Sequence, residues 1–208
     1  MRDGSLGMAA LLVLAATVIS TAHAVRFSSE VAVEDVVFGP ERSPLITALL
    51  STLGRDLTSV VVYVIERAWD ALLVATALGP LLIWVLGATA IHAAARLQGS
   101  RHPFLPIFVL AGHATGLTRP LADLAGLIFG SRGAGAPVAQ LVGSVALVWL
   151  GVLLWNGIVA HYAVTGGRAL TILLIAVLLF YLAPLTLILL AVIAVLVAAV
   201  VLEYFPAR

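Results

Sequence analysis

The sequence predicts an all-α fold, a polytopic helical membrane protein with five or six transmembrane helices. Residues 71–202 are almost continuously apolar and are broken only by short polar patches. Hydrophobic residues make up 62% of the 208 residues and charged residues 10%, whereas soluble domains have about 45–50% and about 25%. Residues 25–70 are the one long stretch with enough charged residues to lie in water. We therefore expect one membrane domain with one extramembrane excursion and short turns elsewhere.

Missing residue types exclude several kinds of chemistry. The chain has no cysteine, which excludes disulfides, thiolate metal sites and cysteine catalysis. It has no lysine either, so a Schiff-base mechanism is excluded. A net charge of +1 gives no electrostatic reason to expect nucleic acid as a partner. Since the sequence shows no nucleophile with an aligned base, no phosphate loop and no metal-ligand cluster, we expect a protein that is not an enzyme and uses no cofactor.

The first segment, residues 1–24, is a first transmembrane helix or a signal peptide. Its apolar run covers residues 6–24 and ends in Ala22-His23-Ala24, which is typical of a signal-peptide cleavage site. About 19 residues are also enough to span a hydrocarbon core of about 30 Å. Of the two interpretations we favour a retained helix.

Residues 25–70 form an acidic extramembrane segment in which four arginines and seven acidic residues give a net charge of −3. Residues 30–38 predict a short extended piece that Gly39-Pro40 ends. Ser43-Pro44 then predicts the start of an interfacial helix over residues 45–53. A second helix is expected to begin near Asp56 and to continue into the membrane.

The membrane domain, residues 71–208, begins with a span over residues 71–95 that we expect to be kinked or broken at Gly79-Pro80. The next apolar stretch, residues 103–129, contains too many polar residues for a simple lipid-facing helix. It is either a bent helix that continues through Arg119 or two half-helices with a break at residues 118–120. A break is allowed only where protein or water covers the open backbone.

The last part of the chain predicts one clean span and one ambiguous stretch. Residues 130–137 read as a turn and residues 138–164 as a regular span. Residues 169–202 would be about 50 Å long as one straight helix, which is longer than a bilayer is thick. The stretch is either one tilted helix or two short spans that meet near Ala183-Pro184, and we favour two.

The distribution of arginines predicts the orientation. Arginines near the ends of spans remain in the cytoplasm, and acidic residues contribute little. Placing the N-terminus inside puts Arg2, Arg96, Arg101 and Arg168 in the cytoplasm and the acidic segment outside. We expect a multi-pass protein of the cell membrane with a cytoplasmic N-terminus.

Two stretches together resemble the Yip family of membrane proteins, which are named for interaction with Ypt/Rab GTPases. Residues 81–100 read LLIWVLGATAIHAAARLQGS and are similar to the family's second span, which ends in a histidine, an arginine-leucine pair and a glycine-containing turn. Residues 155–170 read WNGIVAHYAVTGGRAL and are similar to the junction between its last spans. The resemblance covers about residues 71–182 and implies a helical scaffold or adaptor without a known reaction. The acidic excursion departs from the family, so GTPase binding is not carried over.

Polar residues in the apolar region are candidates for function. We predict an intramembrane polar site at His113, Arg119 and Asp123, because a separation of four positions brings Arg119 and Asp123 together on one helical turn. The alternative is that both residues lie at the membrane surface. His92 and His161 are predicted at a similar depth and are candidate haem ligands. The alternative is that both are interfacial histidines hydrogen-bonded to carbonyl groups, which have the same pattern in the sequence.

Glycine spacing suggests close helix packing. Gly112 and Gly116 stand four residues apart, and Gly126 and Gly130 repeat the spacing. Small residues at this interval let membrane helices approach closely.

Three functions are compatible with these features. The first is a non-enzymatic scaffold or adaptor of the Yip type, and the second is an accessory subunit of a larger membrane complex, such as a respiratory one. The third is a small transporter or channel that uses residues 103–130. We expect the lipid bilayer and other membrane proteins, or further copies of this chain, as partners.

Overall fold

The computed structural model describes residues 4–31, 48, 55–130, 132–182 and 185–186, and for residues 4, 5 and 55–61 only the backbone. These parts of the chain contain helices and turns and no strand. The helices are α1 (Gly4–Glu30), α2 (Arg55–Ala77), α3 (Gly79–Leu97), α4 (Leu105–Phe129), α5 (Ala136–Tyr162) and α6 (Gly166–Leu182). A single turn of 3-10 helix, Gly133–Gly135, precedes α5.

Three segments are long and apolar enough to cross a membrane: Leu6–Glu30, Gly79–Leu97 and Gly133–Tyr162. They correspond to α1, to α3, and to α5 with the turn before it. Helix α4 is equally long but is not among these three segments. The larger predicted count of five or six spans stays a prediction.

The N-terminal helix is longer than the sequence suggested. Helix α1 continues without a break through His23 and ends at Glu30. The predicted extended segment therefore does not begin at Glu30, which is helical. The rest of that segment and the predicted interfacial helix lie outside the described residues, except Ala48.

The two prolines that were expected to disturb helices act differently. Helix α2 ends at Ala77, and α3 begins at Gly79 with Pro80 in its first turn, where the missing N–H group of proline costs no helical hydrogen bond. In contrast, α4 is continuous through Arg119, with Pro120 inside the helix. Of the two alternatives, the continuous helix therefore holds for Leu105–Phe129 and the two half-helices do not; the predicted bend stays a prediction.

Helix α4 is the centre of the bundle, and α1, α3 and α5 pack around it. Close approaches pair Gly112 of α4 with Ala9, and Gly116 with Leu12. Residue numbers rise together along this contact, so α1 and α4 are parallel. Helix α5 runs the opposite way, because its Gly157 faces Leu110 near the start of α4.

Trp84 holds α3 against α4. Its indole Nε1 donates a hydrogen bond of 2.8 Å to the carbonyl oxygen of Phe108, and the two rings stack with their centres 4.6 Å apart. Trp84 lies in a π-helical segment, Ile83–Gly87, a local widening of the helix that often re-aims side chains. Gly112 leaves room for the indole, since a Cβ there would lie 2.7 Å from Nε1.

Candidate functional site at a buried carboxylate

Asp123 of α4 lies between α1 and α4 and is only 1% exposed. Its Oδ2 atom accepts a hydrogen bond from the hydroxyl of Ser20 and lies 3.1 Å from Nε of Arg119. Its Oδ1 atom lies 3.3 Å from Nδ1 of His23. We call these four residues, Ser20, His23, Arg119 and Asp123, the Asp123 cluster.

Local spacing on two helices builds this cluster. Ser20 and His23 are three residues apart on α1, and Arg119 and Asp123 are four apart on α4, so each pair shares one helix face. Gly126 of α4 makes room for the imidazole, because a Cβ at this position would collide with the His23 ring. The glycine thereby allows the histidine to reach the carboxylate.

The cluster compensates the negative charge of Asp123, whose burial without partners would cost free energy. Among the described residues, Asp123 is the one acidic or basic side chain classed as buried. A carboxylate away from water is tolerated when a cation and hydrogen bonds compensate it, and Arg119 and Ser20 supply these. Nε of Arg119 and Nδ1 of His23 do not meet hydrogen-bond geometry, so their contacts with Asp123 are electrostatic.

A cavity of about 310 Å³ borders the cluster on the side of α5. Its polar lining is His23, Arg119, Asp123 and Gln140, and most of the rest is glycine and alanine. Ionisable groups beside such a space are able to hold a small polar or charged group, or to pass a proton between imidazole and carboxylate. Ser20 donates to Asp123 and not to His23, so these residues are not arranged as a Ser-His-Asp catalytic triad, in which the histidine stands in the middle.

Arg26 makes a further polar contact between α1 and α4, near the C-terminal end of both helices. Its Nη1 donates to the carbonyl oxygen of Leu127 in the last turn of α4, and its Nε donates to Glu30 at 2.6 Å. The last carbonyl groups of a helix have no partner within the helix and carry partial negative charge. The guanidinium therefore caps α4 and joins it to α1 a second time.

The structure brings together two of the three residues that we predicted for the intramembrane site. Arg119 and Asp123 pair, but His113 is ten residues before Asp123 on α4, about 15 Å away along the axis. His113 is half-buried, and its Nδ1 lies 2.9 Å from the carbonyl oxygen of Val109. It lies outside the cluster, and a role for any of the three residues in function stays a prediction.

Sequence reasoning missed Ser20 and His23. Ala22-His23-Ala24 has the pattern of a signal-peptide cleavage site, and this pattern assigns no role to the imidazole. The available signal was a serine and a histidine three apart in an otherwise apolar run, a spacing that places both on one helix face.

The candidate haem ligands lie at the opposite end of α4, on either side of Tyr162. Nδ1 of His92 is 3.1 Å from the Tyr162 hydroxyl, and its Nε2 accepts a hydrogen bond of 3.3 Å from Arg96. Nε2 of His161 is 2.9 Å from the carbonyl oxygen of Pro103. Ligation of haem by this pair would require His92 to give up one of these contacts, and it stays an untested expectation. In the described part of the chain, no three His, Asp or Glu residues are grouped as metal ligands.

No family model, curated protein or solved structure matches this chain.

Proposed function

We propose that the protein is a non-enzymatic scaffold or adaptor of the cell membrane, with five or six spans and a cytoplasmic N-terminus, as the resemblance to the Yip family implies. The main support is the Asp123 cluster, whose charged groups engage one another between α1 and α4. A carboxylate that is enclosed by its own partners is suited to fixing two helices in one arrangement.

The outward faces of the helices also support this proposal. Large apolar side chains are exposed along one side of α5 over most of its length. They are Val138, Leu141, Val145, Val148, Trp149, Val152 and Trp155. Such a face packs equally well against lipid or against the helices of other membrane proteins, which is what a scaffold requires.

The test is purification of the tagged full-length protein in a mild detergent, with measurement of native mass and identification of co-eluting proteins. We expect defined complexes with membrane proteins, and a loss of about tenfold in co-eluting partner for Val148→Trp on the α5 face, since added bulk disturbs helix packing. Val18→Trp is the matched control, because Val18 is similarly exposed on α1. One constant partner set in fixed ratio would indicate an accessory subunit, and a lone monomer in both detergent and lipid would contradict the scaffold.

A second function, a small transporter or channel that uses residues 103–130, is favoured by the cavity beside Asp123. Ionisable residues within spans commonly mark proton or ion pathways, and Arg119 and Asp123 both line this space. In proteoliposomes, transport predicts proton or ion flux that Asp123→Asn abolishes and Asp70→Asn leaves unchanged, because Asp70 is an exposed surface residue. A scaffold predicts flux no greater than that of protein-free vesicles.

A further inference from the structure

A second polar region lies at the other end of α4, where α3 and α5 end and α4 and α6 begin. We call it the basic end. It carries three arginines and three histidines: His92, Arg96, Arg101, His102, His161 and Arg168. A cavity of about 520 Å³ opens there between the α3–α4 connection and the α5–α6 connection. This volume lies within the usual range of about 300–1,000 Å³ for small-molecule sites.

The positive charge of the basic end has no nearby counter-charge on the helices that form it. Residues 71–122 contain no acidic residue, and neither do residues 124–202. Helices α3 to α6 therefore contribute only Asp123, which lies near the opposite end of α4. A cavity bordered by one sign of charge attracts ions of the other sign.

Arg168 is held in position at the wall of the cavity. Its Nε donates a hydrogen bond of 3.2 Å to the side-chain oxygen of Gln98, and its Nη2 donates to the Gln98 carbonyl oxygen. These two bonds fix the plane of the guanidinium and leave Nη1 for another acceptor. A positioned guanidinium loses less side-chain entropy when it binds an oxyanion.

Arg101 also lines this cavity. It lies in the short non-helical stretch between α3 and α4, is exposed, and makes no hydrogen bond or ion pair with any residue that the structure describes. His102 lies beside it, with its ring centre 5.6 Å from that of His161. One free guanidinium and one fixed guanidinium thus line a common space, together with the imidazole of His102.

We propose that the cavity at the basic end binds a phosphate ester anion, with Arg101 and Arg168 as the residues that recognise it. Guanidinium groups match the planar, bidentate acceptor geometry of phosphate oxygens. Basic pockets between membrane helices are suited to the headgroups of anionic lipids, and a phosphorylated solute would offer the same group. This site is separate from the Asp123 cluster and does not depend on the proposed scaffold function.

The test uses the full-length protein purified from membranes and returned to vesicles of phosphatidylglycerol or of phosphatidylcholine. Native mass spectrometry then measures the lipid that remains bound. We expect preferential retention of phosphatidylglycerol, with a loss of about fivefold for Arg101→Gln and a larger loss for Arg101→Gln with Arg168→Gln. Arg132→Gln is the control, because it removes the same charge at the other end of α4 and should not change retention.

The single variant keeps the test valid if the double variant does not fold, because Arg101 makes no hydrogen bond or ion pair within the part of the chain that the structure describes. Retained phosphatidylglycerol that about 10 mM inorganic phosphate does not displace would identify a lipid headgroup. Displacement by inorganic phosphate, with the same dependence on Arg101, would identify a phosphorylated solute. Equal retention of both lipids, or equal retention in the wild-type protein and Arg101→Gln, would overturn the proposal.

Discussion

Replacement of Asp123 by alanine should destabilise the protein by about 3 kcal/mol. The substitution leaves Arg119 and His23 at the α1–α4 contact without the carboxylate that attracts both of them. The expected cost is at the lower end of the range for broken buried pairs, because the side chains of Arg119 and His23 are 30% and 19% exposed. In one detergent, the midpoint of thermal unfolding should fall by about 5–10 °C.

Two further variants show whether this loss comes from the uncompensated charge. Asp70→Ala also breaks a pair with an arginine, but both side chains are more than half exposed, so it should cost less than about 1 kcal/mol. Asp123→Asn combined with Arg119→Gln removes both charges and should recover part of the loss, which a double-mutant cycle measures. Equal midpoints for Asp123→Ala and Asp70→Ala would show that the cluster does not stabilise the contact.

Replacement of Gly116 by alanine should destabilise the α1–α4 contact by about 1–3 kcal/mol. A Cβ at this position would lie 2.6 Å from the Cβ of Leu12 and 2.9 Å from its backbone carbonyl carbon. A backbone atom does not move away as a flexible side chain does, so α1 as a whole must shift. The change is measured as the midpoint of thermal unfolding in the same detergent.

Gly151→Ala is the matched control in α5. No atom lies within 4 Å of a Cβ at this position, and alanine favours a helix by about 1 kcal/mol relative to glycine. The control should therefore be neutral or slightly stabilising. If both alanine variants raised the unfolding midpoint, close approach at Gly116 would not be a constraint.

The sequence was sufficient to predict an all-α fold, because a bilayer restricts the secondary structure that can cross it. In a bilayer every backbone group must find a partner within the protein, and helices do this within one segment. The break before Gly79 was also predictable, because proline is favoured in the first turn of a helix, although Pro120 in the interior of α4 does not break that helix. Similarly, the contact between Arg119 and Asp123 depends only on helical spacing, which is local.

The partners of Asp123 from α1 were not predictable in the same way. Ser20 lies 103 residues before Asp123 in the sequence, and helical spacing gives no information about which helices pack together. Helices with lipid on one side also lack the amphipathic pattern that identifies the buried face of a soluble helix. His113 is a different case, because ten positions along one continuous helix already place it about 15 Å from Asp123 along the axis.

The buried carboxylate of α4 has its polar partners on α1, which bears on the order of folding during biosynthesis. Arg119 and Asp123 would each cost about 2.5–3.5 kcal/mol at the centre of a helix that inserts alone. Since α1 precedes α4 in the chain, Ser20 and His23 are synthesised before Arg119 and Asp123. If α4 inserts into a membrane, α1 thus supplies the polar side chains that compensate its charges, and we expect the insertion of α4 to be coupled to its packing on α1.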